Sequence, residues 1–229
     1  MEPQENHQKK EKLFEKEVLE VALFTFVGLF LIFGVLHKFY FSNIPTYISK
    51  YPWYFFYTIV AVVANATAIY HLKAYRNAVT CMTGMMIGMT IGMITGFTLG
   101  YLVGATNGMF IGTVYGIILG VAVGIWCGKC CGIMGIMEGA MAGLMGGSMG
   151  AMLSVMMLSD HILLFTPFFI LVCMGILFGL GHIVFKEHAA SEEKIIKPYS
   201  LSVFFVICLV ITTITILLML YGPKSILVS

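Results

Sequence analysis

The sequence predicts an all-α protein, a polytopic transmembrane bundle of about seven spans. Three observations carry that prediction. The 229-residue chain is 59% hydrophobic and only 10% charged, where an ordinary soluble domain carries roughly 25% charged residues. Its apolar residues come in long runs, several of them above the ~20 residues that a helix needs to cross a ~30 Å bilayer core. Glycine recurs at every fourth position from Gly84 to Gly132, thirteen in all, which is a helical spacing and not the alternation of a barrel strand. Unpaired backbone groups are too costly in lipid for anything but helices here. A net charge of +2 is too small to argue for nucleic acid or any other polyanionic partner.

The elements follow in order. Residues 1–17, "MEPQENHQKKEKLFEKE", form a polar tail, and residues 18–229 form a single transmembrane domain. The first run, 18–36, leads into "HKFYFSN" with no A-x-A-like cleavage site. It therefore reads as a retained helix and not a signal peptide. A second span is expected at 53–71, with Asn65 midway as an interhelical hydrogen-bonding residue. The third and fourth spans, 82–103 and 109–126, are separated on length. One helix through the whole glycine series would be about 72 Å long, more than twice the bilayer core. "GATNG" at 104–108 is the expected turn, because Gly and Asn tolerate left-handed backbone angles. "CGKCCG", with Gly128 in its centre, makes the next break, before a fifth span at 131–157. The sixth and seventh are expected at 162–184 and 201–221.

Orientation follows from Lys and Arg. Lys9, Lys10, Lys12 and Lys16 in the tail, Lys73 and Arg76, Lys129, and Lys186, Lys194 and Lys197 fall on one side, ten of the 13. Lys38, Lys50 and Lys224 fall on the other. The bias places the N-terminus in the cytoplasm and the C-terminus outside.

Each glycine costs about 1 kcal/mol against alanine inside a helix. Close backbone approach offsets that cost, since lipid offers no hydrophobic force between helices. The ladder thus predicts a glycine zipper among spans three to five; a glycine-lined ring or pore is the other reading.

The fifth span has a second pattern. Met134, Met137, Met141, Met145, Met149, Met152 and Met156 advance 22 residues in steps of three and four. At 100° per residue they stay within an arc of about 120°. Glu138, Ser148 and Cys131 share that arc, while Gly135, Gly139, Gly143, Gly146 and Gly150 project oppositely. The third span repeats the pattern weakly with Met82, Met85, Met86, Met89 and Met93. Methionine can simply fill irregular gaps between helices. Alternatively, the row is a ladder of thioethers for a soft cation, because thioether and thiolate ligands select Cu(I). Glu138 adds weight to the second reading, since a charged group near the bilayer centre costs about 2.5–3.5 kcal/mol on insertion scales and marks a pathway or a partner. Snorkelling or protonation of this carboxyl is the plainer alternative.

Cys127, Cys130 and Cys131 stand at the turn between spans four and five, and Cys81 opens span three on the same side. His71 and His182 are expected at that membrane face too. Vicinal thiols in a reducing compartment suit metal binding or redox chemistry, and Lys129 beside them favours the thiolate. Palmitoylated or plain juxtamembrane cysteines are the alternative, and no second CxxC supports structural zinc. Cys173 and Cys208 read as small apolar packers. Asp160 and His161, beyond the end of the methionine row, are either an uptake or exit site or a solvated loop cap.

The stretch 81–157, through "IMEGAMAGLMGGSMGAML" above all, resembles a group of uncharacterised bacterial Gly/Met-rich polytopic membrane proteins. The resemblance implies a bacterial inner (plasma) membrane location. "MTGMMIGM" is similar in spacing to copper transporters, without their three-span architecture. The paired cysteines resemble those of mercury transporters at a cytoplasmic loop.

No nucleophile–base set, phosphate-cradling loop or HExxH pair stands in the sequence, so no enzymatic activity is expected. The functional expectation is transport or handling of a soft metal ion such as Cu(I), with no other cofactor. Cys81, Cys127, Cys130 and Cys131 would capture the ion. Met85, Met89 and the seven methionines of span five would relay it, with Glu138 tuning affinity or coupling a proton. A cytoplasmic metal chaperone or a second copy of the chain is the expected partner. A glycine-zippered scaffold or complex subunit is the alternative, and a proton or cation pathway centred on Glu138 is a further one.

Overall fold

The computed structural model describes residues 18–34, 51–74, 80–191 and 201–223. The polar tail lies outside the described residues, as do Lys38, Lys50, Arg76, Lys194, Lys197 and Lys224 of the charge-bias reading. Every regular element among the described residues is helical. Helix α1 is described over Val18–Gly34. It is followed by α2 (Tyr51–Ala74), α3 (Cys81–Asn107), α4 (Met109–Gly128), α5 (Gly132–Met157), α6 (Ile162–Ser191) and α7 (Leu201–Tyr221), with a 3₁₀ turn at Lys129–Cys131. Five helical stretches are long and apolar enough to cross a membrane: Trp53–Lys73, Cys81–Asn107, Met109–Met157, Ile162–Val184 and Val203–Tyr221. The chain is therefore a multi-pass helical protein of the lipid bilayer.

The 49-residue stretch Met109–Met157 reverses on itself. Gly128 lies against Gly135, Gly124 against Gly139, and Gly120 against Gly143, the register of an antiparallel pair. Helices α3 and α4 are antiparallel in the same way, with Gly88 on Gly128, Gly92 on Gly124 and Gly104 on Gly112. Helices α3 and α5 consequently run parallel, with Gly96 on Gly143 and Gly147, and Gly104 on Ala151 and Ser154. At Gly116 all three helices meet: an added Cβ would stand 2.9 Å from the Cα atoms of both Gly100 and Gly147. No real side chain tolerates that distance, so the three backbones touch directly and any larger residue must push them apart.

Two glycines make the reversals possible. Gly108 (φ 102, ψ 173) alone separates α3 from α4, and Gly132 (φ 70, ψ −152) opens α5. Both conformations belong to a region that essentially only glycine occupies. The break falls within CGKCCG: Gly128 is helical and packed, and the reversal is made by the three residues after it.

Helices α2, α6 and α7 pack on the other side of α3, through ordinary side chains and a few polar bonds. Asn65 Nδ2 donates to Thr98 Oγ1 at 3.2 Å, and Thr95 Oγ1 donates to Asn65 Oδ1 at 3.1 Å. Tyr101 and Thr166 hydroxyls join α3 to α6 at 3.0 Å, and Tyr115 and Thr215 join α4 to α7 at 2.6 Å. Asn107 Nδ2 donates to the Leu218 carbonyl at 2.8 Å. Each partner spares the other an unsatisfied polar group in hydrocarbon. Cys173 and Cys208 are buried in this packing.

Candidate functional site

Helix α5 packs against α3 and α4 and barely touches α6, so among the described residues nothing covers one of its sides. Its glycines, together with Ala142, Ala151 and Ser154, are the buried side. The methionines are the other. Met134, Met137, Met141, Met145, Met149, Met152 and Met156 are all between 45% and 69% exposed. The division is forced by the packing: only glycine and other small residues fit the backbone contacts, so the long side chains point out. On α3, Met82, Met86, Met89 and Met93 are also exposed, and Met85 is half-buried. Among the described residues the sulfur row thus lies on the outside, and no interior path follows it.

Glu138 is exposed on this same face, between Met137 and Met141. It is six residues into α5, about 9 Å from the helix start. Among the described residues no hydrogen bond or ion pair reaches its side chain. It is also the sole carboxylate within the five membrane-length stretches.

At the start of the row the thiols gather. Cys127 is the penultimate residue of α4, Cys130 and Cys131 stand in the 3₁₀ turn, and Cys81 is the first residue of α3. Because α3 and α5 are parallel, their first residues meet. Cys131 Sγ donates to the Cys81 carbonyl at 2.9 Å, and Cys130 Sγ lies 3.6 Å from Cys131 Sγ. Two sulfurs each bound about 2.3 Å from one ion stand at most about 4.6 Å apart, so this pair is close enough to share one. Cys127 and Cys130 also line a cavity of about 90 Å³ with Lys73 and Trp126. Lys73 Nζ sits 5.0 Å from the Trp126 ring centroid, a cation–π contact. Nothing in linear spacing connects Lys73 or Trp126 to the cysteines; only the fold does.

The histidines do not join the thiols. His71 and His182 line a separate, largely apolar crevice of about 620 Å³ between α1, α2 and α6. Among the described residues, no three His, Cys, Asp or Glu side chains converge on a metal-sized point. Beyond the far end of the row, the exposed Asp160 accepts from His161 Nδ1 at 2.8 Å and from the His161 backbone N–H at 2.9 Å. The hydrogen bond from the His161 side chain, above all, holds the Asp160 carboxyl below its ordinary pKa.

Compared with family models, with curated proteins and with solved structures, the chain gives no match.

Proposed function

We propose that this chain handles a soft metal ion such as Cu(I) in a bacterial plasma membrane, taking it at the thiols of the 3₁₀ turn and passing it along the outer methionine face. One observation carries the reading: thiols collect at the end of α5 where a membrane-length row of seven thioethers begins. Uncharged sulfur binds Cu(I) in preference to hard ions, and weakly enough to let it move on. In this reading the chain crosses the membrane seven times, α1 included, with its N-terminus and the thiols in the cytoplasm, where a metal chaperone delivers to them. Lys73, Lys129 and Lys186, on the thiol side of the bundle, fit that orientation. The α3–α5 contacts act as a glycine zipper that holds the row straight.

The test replaces Met141, Met145 and Met149 together by leucine, which keeps size and removes sulfur. Cellular copper content and silver sensitivity are the readouts. A change in either that is matched by Cys130→Ser with Cys131→Ser supports the reading, while wild-type behaviour in both variants sinks it.

A second reading is favoured by the glycine contacts themselves. A core closed backbone-on-backbone is built for rigidity, as in a scaffold or complex subunit without transport. It predicts that Gly116→Leu abolishes assembly while the methionine variants are silent.

A further inference from the structure

We infer that the methionine face of α5 is covered by the same face of a second copy of this chain, with the two Glu138 carboxyls sharing one proton across the seam. The starting observation is the mismatch between Glu138 and its surroundings. A helix side of seven half-exposed methionines suits lipid well, but an exposed carboxylate among them does not. An ionisable group inside the membrane pairs with another group or faces a polar cavity, and Glu138 has neither among the described residues.

Symmetry selects the occupant. Two copies inserted in the same direction are related by a two-fold axis along the membrane normal, which sets each residue opposite its own equivalent at the same depth. For Glu138 the group at that depth is Glu138 of the second copy, the one other acid that a membrane-length stretch of this chain offers. Two adjacent carboxyls do not both ionise; the protonated one donates to the ionised one in a charge-assisted hydrogen bond. The surrounding thioethers are unbranched and adaptable, and so can pack against their own kind across the axis. The back of α5 is already filled by α3 and α4, which leaves this side as the one available. The inference shares its surface with the soft-metal reading but needs no metal, and it would turn an exterior row of sulfur into an enclosed seam.

The full chain is reconstituted without metal in phosphatidylcholine vesicles, labelled at its N-terminus, and its subunits are counted by single-molecule photobleaching as it is diluted into more lipid. Two-step bleaching is expected for the wild type and for Glu138→Gln, because a carboxamide both donates and accepts. Glu138→Leu, which points outward and leaves the core untouched, is expected to weaken association roughly 10-fold or more. Phe178→Ala, on the exposed side of α6, should change nothing. Single-step bleaching of the wild type, association unaltered by Glu138→Leu, or association lost with Phe178→Ala would each overturn the inference, as would a different protein recovered on this face of a single-copy chain. Because no metal is present, loss of the pair leaves the soft-metal reading standing, and silent methionine variants in cells leave the pair standing.

Discussion

Asn65 shows how much one polar residue organises in lipid. Its amide joins α2 to two threonines of α3, accepting from Thr95 and donating to Thr98. Interhelical bonds of this kind are worth about 0.6 kcal/mol on average and up to about 1.7 kcal/mol. Asn65→Leu is therefore expected to destabilise the fold by roughly 1 kcal/mol, and a double-mutant cycle with Thr95→Val should show the two effects to be non-additive. Denaturation of the reconstituted protein measures both. At the turn after α5, the Asp160 pKa is held down in the fold by His161. A depressed carboxyl stabilises at pH above its unfolded value and loses that contribution as pH falls through the folded one. The protection of the His161 amide against hydrogen exchange, measured relative to an unstructured amide at the same pH, should thus persist at neutral pH and be lost only below the ordinary carboxyl range. Asp160→Asn should abolish that pH response.

Spacing alone does not say which glycines matter; neighbours do. Gly175 and Gly179 in α6 are four apart, like those of α3 and α4, yet nothing lies within 4 Å of a Cβ added to either. Gly120 and Gly124 have the same period and face the backbones of Gly143 and Gly139. Alanine at 175 or 179 should be neutral or stabilise by up to about 1 kcal/mol through helix propensity. Alanine at 120 or 124 must separate α4 from α5 and should destabilise by several-fold more than that; thermal unfolding in detergent separates the two classes. Gly132→Ala, forced into a glycine-only conformation, should cost about 1–3 kcal/mol. Much at this scale was readable from the residues alone. Long apolar runs require helices, and the two-sided pattern of α5 puts glycines and methionines on opposite sides. Whether the methionine side also meets protein was not readable. A methionine stripe fits a core or a surface equally well by period, and the answer depends on α3 and α4 filling the glycine side. The separation of His71 from the thiols was hidden for a similar reason. Residue order places both near one membrane face, but only the rotation of α2 turns His71 toward α6 while Lys73 turns toward Trp126.

At the scale of the molecule, two modes of cohesion coexist. Helices α3, α4 and α5 are held by backbone contact with scarcely a large side chain between them, whereas α2, α6 and α7 attach to α3 through aromatic and hydroxyl contacts such as Tyr101 with Phe169 and Thr166. The parallel run of α3 and α5 brings Cys81 to Cys131 and sends Asp160 to the opposite end. A 26-residue helix spans about 39 Å, enough to cross the bilayer core with its ends on different sides. Cys81 and Cys130 are exposed, and Cys173 and Cys208 are buried. A membrane-impermeant thiol reagent applied to intact cells should therefore spare all four in the native chain, if the thiol end is cytoplasmic, and should label Cys81 and Cys130 together once the membrane is opened. Ser159→Cys should be labelled in the intact cells. Labelling of Cys81 from one side and Cys130 from the other would break the antiparallel pairing of α3 with α4. Labelling of both from outside would leave the fold intact and reverse the orientation that the lysines indicate, and with it the direction of ion entry that the soft-metal proposal assigns.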